Sequence, residues 1–168
     1  MRNAGLKSLI AAVLIAAAGT SSAATTTTTF NVTATVANNC RFNSAGNLAF
    51  GTYDPLSGTA LDQTSTISYN CTKNTPYTLA LSAGAGTGAT FAVRKMTNGA
   101  NTLNYSLYTD AARTTVWGDG SGGSSTIAAP AANGLLSNLN VTVYGRIPTA
   151  QDVAAVAYTD TITATLTF

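Results

Sequence analysis

Side chains able to do chemistry are few in this sequence. Histidine and glutamate are absent, and all six acids are aspartates: Asp54, Asp62, Asp110, Asp119, Asp152 and Asp160. General acid–base work would fall on an aspartate pair, or on a lysine or tyrosine. Asp110 beside Arg113, and Asp160 near Tyr158, read more simply as turn-capping and ion-pair residues. The cysteines Cys40 and Cys71 lack a CxxC spacing and any histidine partner, which argues against a metal or redox pair. No catalytic residue, metal or cofactor is expected. The one enzymatic arrangement left open is an aspartate pair assembled by the fold.

Several motifs have a simple reading beside a functional one. The stretch "GDGSGG" contains G-x-G-x-x-G at Gly118, Gly120 and Gly123. A dinucleotide site needs that spacing between a buried strand and a helix, whereas here it follows Trp117 and precedes a Ser/Thr and Ala/Pro-rich stretch. It reads as a loop. As a calcium-binding repeat it is a single copy with one aspartate, too few oxygen ligands. Asn31, Asn70, Asn104 and Asn140 begin Asn-x-Ser/Thr triplets inside alternating segments and read as strand residues. Trp117 offers a sugar-stacking platform, but a core position at a strand end is the expectation. "AAPAANGLL", residues 128–136, reads as a contact surface or as a cover over one end of the domain.

These residues sit in a chain marked for export. Arg2 and Lys7 precede an unbroken apolar run at residues 9–18, and Ser21, Ser22 and Ala23 supply small residues for a signal peptidase. Residues 1–23 are therefore expected to be a secretory signal peptide. The apolar run is too short to span a bilayer, which needs ~20 residues. Cleavage after Ala23 leaves 145 of the 168 residues, enough for one domain with a core. It also leaves six basic residues against six acids. A net charge of zero with no basic patch argues against nucleic acid or an anionic membrane as partner. In an oxidising compartment Cys40 and Cys71 read first as a disulfide, with α-carbons about 4.4–6.8 Å apart. Such a bond should contribute ~3–4 kcal/mol on the chain-entropy model.

The elements that must position everything are strands. Apolar residues alternate at Leu48 and Phe50; at Ile67, Tyr69 and Cys71; and at Tyr77, Leu79 and Leu81. They alternate again at Phe91 and Val93, with Lys95 next in the same phase; at Leu103, Tyr105 and Leu107; and at Leu139, Val141 and Val143. Between them stand Gly/Pro/Asn/Asp turn signals such as "GTYDPLSG". Seven or eight short strands of this kind predict an antiparallel β-sandwich. One helical turn is expected near residues 149–156.

Two segments look incomplete. Phe30, Val32, Ala34 and Val36 alternate with polar residues on a tail that begins with five threonines. At the other end, Ile162, Ala164, Leu166 and Phe168 alternate with threonines and close the sequence. An apolar edge with no successor is an aggregation hazard unless something covers it. The expectation is that another chain's tail does so.

The segments "LAFGTYDP" (48–55), "YNCT" (69–72), "PYTLALSAG" (76–84), "YSLYTDAARTTVWGDG" (105–120), "YGRIP" (144–148) and "YTDTITATLTF" (158–168) resemble the spore coat protein U family. Its members are subunits of archaic, Csu-type chaperone–usher pili. The resemblance implies an all-β, incomplete immunoglobulin-like sandwich lacking its final strand. It implies a donor-strand segment at residues 24–36 and a pilin-like domain at residues 37–168. Phe30, Val32, Ala34 and Val36 would be the donor strand, and Ile162, Leu166 and Phe168 would line the acceptor groove. The implied partners are a periplasmic chaperone, an outer-membrane usher and neighbouring copies or related pilin subunits. The implied route runs through the periplasm to the cell surface. The function expected is a non-enzymatic structural subunit of a fibre or coat, assembled by donor-strand exchange and supporting attachment and biofilm formation. A secreted tip adhesin or carbohydrate-binding module is the alternative.

Overall fold

The computed structural model describes residues 22–130 and 138–168. Most of the expected signal peptide, and residues 131–137 of the apolar loop, lie outside that range. Residues 36–168 form one compact unit and the chain up to residue 35 another. The strands are β1 (Cys40–Ala45), β2 (Leu61–Cys71), β3 (Pro76–Leu81) and β4 (Arg94–Asn98). They are followed by β5 (Asn101–Tyr108), β6 (Ile127–Pro130), β7 (Leu139–Ile147) and β8 (Ala164–Thr167).

Two sheets result, one in the order β1-β2-β7-β5-β4 and one in the order β6-β3-β8. Every ladder among the described residues is antiparallel. The long β2–β7 ladder, from Leu61 opposite Ile147 to Tyr69 opposite Leu139, is the spine of the larger sheet. Period-2 alternation explains the core: Ile67, Tyr69, Leu79, Leu81, Leu103, Tyr105, Leu107 and Val143 are all buried. Trp117 is fully buried among them and its indole N–H donates to the Leu79 carbonyl at 3.0 Å. The expected core tryptophan is thus in place.

Cys40 and Cys71 are joined and face each other across the β1–β2 ladder. Their α-carbons are 4.0 Å apart, closer than the expected range. Directly opposed residues at a narrow antiparallel pair already approach to about 4.5 Å, which explains the closeness.

Three local expectations fail. Leu48 and Phe50 alternate in burial, yet residues 46–50 form no strand. No helical turn forms at residues 149–156, and no helix is present among the described residues. There Ala150 takes a left-handed φ of 58°, which a helix does not accept. Gln151 instead uses its side-chain amide on the β5 backbone, accepting from the Asn104 N–H at 2.8 Å and donating to its carbonyl at 2.9 Å. The third is a parity error. Phe91 and Val93, with Lys95 next in phase, are expected to form one short strand run, but the strand begins only at Arg94, and Arg94 pairs with Tyr105 and Met96 with Leu103. The inner position at the start of β4 is therefore a buried arginine, one residue out of phase with the expected run.

Candidate functional site

An apolar groove of about 370 Å³ opens between the two sheets. Its floor comes from inner-face residues of both sheets, including Ile67, Leu81, Leu107 and Val143. One wall is residues 45–50 and the other is residues 158–164. β8 follows from the second wall and, among the described residues, pairs only with β3, which leaves its other edge open there.

Each wall is shaped by a small number of residues. Leu48 and Phe50 lie over β7 because Gly145 makes room for them. A Cβ at Gly145 would stand 2.8 Å from Phe50 and 2.9 Å from Leu48. Opposite them, half-buried Tyr158, Asp160, Ile162, Ala164 and Leu166 alternate with exposed threonines along the segment 158–167. Asp160 is the one acid in the lining. Its carboxylate accepts from the Tyr105 hydroxyl at 2.6 Å, the Ala85 N–H at 2.8 Å and its neighbour Thr161 N–H at 2.7 Å. Gly84 permits this approach, since its φ is +94° and a Cβ would stand 2.1 Å from the carboxylate. Burial, and then the bond to Asp160, pushes the Tyr105 phenol above its ordinary range. A carboxylate held by three donors beside a tyrosine that stays protonated is a structural knot.

Beneath this wall, Arg94 is fully buried. Its guanidinium donates to the carbonyls of Ser82 at 2.9–3.0 Å, Phe91 at 2.9 Å and Trp117 at 2.6 Å. Desolvation pulls its pKa below the usual guanidinium value, while Tyr105 and Asp160 oppose that shift. The cation ties the β3–β4 loop, through Ser82 and Phe91, and the β5–β6 loop, through Trp117, to the start of β4. The ion pairs also differ from expectation, because Arg113 joins Asp62 at 3.2 Å, and Arg146 joins it at 2.7 Å. Asp110 caps the backbone N–H groups of Thr114 and Thr115 instead.

Among the expected groove residues, Ile162 lines the cavity and Leu166 continues the same face of β8 against the core. Phe168 ends that row and is 52% exposed, outside the lining. Leu48, Phe50, Met96 and Tyr105 line it without having been expected there. The Leu48–Phe50 alternation was visible, but its role depends on β7 lying beneath it. In the tail, Phe30 and Val32 are each 84% exposed, Ala34 and Val36 are exposed, and none lies in a strand.

A two-sheet antiparallel sandwich whose apolar core is open along one strand edge defines a class of β-domain able to accept an added strand. The Spore Coat Protein U domain model matches residues 26–165, and the chain belongs to that family. It is 37% identical over 152 residues to "Protein U" of Myxococcus xanthus, with 82% of each chain covered. Its fold is similar to that in the crystal structure of the CsuC–CsuE chaperone–tip adhesion subunit pre-assembly complex, from archaic chaperone–usher Csu pili of Acinetobacter baumannii. That match has a TM-score of 0.57 and 23% sequence identity, and it covers 80% of this chain and 40% of the other.

Proposed function

We propose that this protein is a non-enzymatic structural subunit of an extracellular fibre or coat, assembled by donor-strand exchange. The observation that carries the reading is the open apolar groove beside the unpaired edge of β8, together with the exposed alternating tail. Phe30, Val32, Ala34 and Val36 of one copy fill the groove of another, against the face bearing Ile162 and Leu166. Backbone bonds to β8 supply affinity, and the alternating side chains set register. Burying a Phe or Val side chain stabilises by about 1.5–3 kcal/mol each. The five-threonine leader is polar yet β-prone, so it stays solvated until it zips along an edge.

Before assembly a periplasmic chaperone covers the groove, and an outer-membrane usher passes the subunit to the cell surface. Attachment and biofilm formation follow from the fibre. The family membership and the solved chaperone complex support this route. A tip adhesin is the second reading, suggested by the tip subunit in that complex. The exposed tail favours a shaft subunit, because a tip has no groove ahead of it to fill.

The double variant Phe30→Asp, Val32→Asp tests the reading in cells. Each substitution would place an unpaired carboxylate in the neighbour's apolar groove, at a cost of several kcal/mol. Loss of fibres with the chaperone-bound subunit still folded is the expected result. Normal fibre yield would overturn the donor-strand assignment.

A further inference from the structure

We propose that the turn bearing Leu56 in one copy docks against the tail root of the next copy, the surface made by residues 37–39 and the turn at residues 72–75. This rests on the strand-exchange reading of the groove and adds a second, rigid contact to it.

Leu56 is 92% exposed, and the turn that carries it is fixed. The Ser57 N–H donates to the Asp54 carbonyl at 3.2 Å, and the Leu56 N–H donates to the Asp54 carboxylate at 2.9 Å. Pro55 between them locks its own φ. A single exposed leucine on a mobile loop needs no explanation. One held out on a pinned turn is ordered in advance for a partner.

The register places this turn and the tail root at opposite poles of the sandwich. β2 begins at Leu61 opposite Ile147 and ends at Cys71 opposite Cys40. Its eleven residues span about 36 Å at 3.3 Å each. The 51–60 loop sits at the Leu61 pole, where the Tyr53 hydroxyl donates to the Pro148 carbonyl just past β7. The start of the 158–164 wall lies at that same pole, since Thr159 pairs with Thr97 near the β4–β5 turn. β8 then runs back toward the Cys40 pole, with Thr167 opposite Thr78. A donor strand antiparallel to β8, as every ladder here is, enters with Phe30 near the Cys40 pole and leaves with Val36 at the Leu61 pole.

The tail root allows no slack after Val36. The Thr72 hydroxyl donates to the carbonyls of Ala37 at 3.3 Å and Asn39 at 3.2 Å, and its N–H donates to Asn39 at 2.8 Å. The hydroxyl of fully buried Thr75 bonds the Asn38 side chain at 3.2 Å. Residues 37–39 are thus bolted to the 72–75 turn of their own domain. The incoming domain must therefore present that root directly to the pole carrying Leu56. Ala37 and the stem of Lys73 offer it apolar area.

The test replaces Leu56 with photo-reactive p-benzoylphenylalanine in the full chain, irradiates purified fibres, and maps cross-linked peptides by mass spectrometry. Cross-links to residues 36–39 or 71–75 of a neighbouring copy are expected, with at least a tenfold loss when the fibres are dissociated. Fibres that form normally but cross-link elsewhere, or not at all, overturn the docking while leaving strand exchange intact. Absence of fibres from the unmodified chain overturns both. If the probe at position 56 blocks assembly, the same probe at Lys73 reports the reciprocal contact, and its failure to reach residues 54–58 overturns the proposal.

Discussion

At the residue scale, the informative side chain is Arg94. A buried cation with no carboxylate in contact is costly unless its donors are satisfied, and here three carbonyls satisfy them. Arg94→Met keeps the stem and strands those carbonyls, each left unsatisfied at about 1–3 kcal/mol. We expect a loss of about 3–5 kcal/mol, read as a lower urea midpoint by the fluorescence of Trp117, the one tryptophan. Arg94→Lys keeps the charge but not the planar fork and should recover less than half of that loss. An unchanged midpoint for Arg94→Met would show that the loops do not depend on the guanidinium.

At the element scale, β1 is short and lies at the edge of its sheet. A bulge between Phe42 and Ser44 interrupts it, leaving Asn43 with no opposite residue. The extra residue turns the Asn43 amide toward Asn70 and Asn138. The Cys40–Cys71 bond is what pins the start of this weak strand, and with it the root of the tail. Replacing both cysteines by alanine frees a loop with a sequence separation of 31. We expect a loss of about 3.5 kcal/mol on the chain-entropy model, measured by urea denaturation without reductant. Protection of the Thr72 amide in hydrogen exchange should fall with it, because its acceptor is Asn39. A double variant as stable as the parent would mean that β1 holds without the bond.

At the scale of the whole molecule, the open groove predicts a domain that is unstable alone and stabilised by a strand in trans. A synthetic peptide of residues 24–36, added to purified chain lacking residues 24–36, should raise the thermal midpoint and suppress aggregation. At a hundred times its dissociation constant, such a ligand stabilises by about 2.7 kcal/mol. The same peptide with aspartate in place of Phe30 and Val32 should do neither. Equal effects of the two peptides would remove the groove as the binding site.

The sequence by itself determined the strand class, most of the core and the disulfide, because these depend on period-2 alternation and on two cysteines in a chain expected to be exported. Ile67, Tyr69, Leu79, Leu103 and Tyr105 are buried as their spacing requires. The tail pattern at residues 30–36 and the row from Ile162 to Leu166 were also legible, since a face one strand wide shows in a short segment. Only the tertiary structure decided where Arg94 points, because the parity of a strand is set by its pairing, here Arg94 opposite Tyr105. It alone made a groove wall of Leu48 and Phe50, whose alternation has meaning only where Gly145 lets them lie on β7. It alone set Leu56 and the tail root at opposite poles. A pattern along a chain records which face is apolar, while the position of that face relative to another comes from register, which arises between segments far apart in sequence.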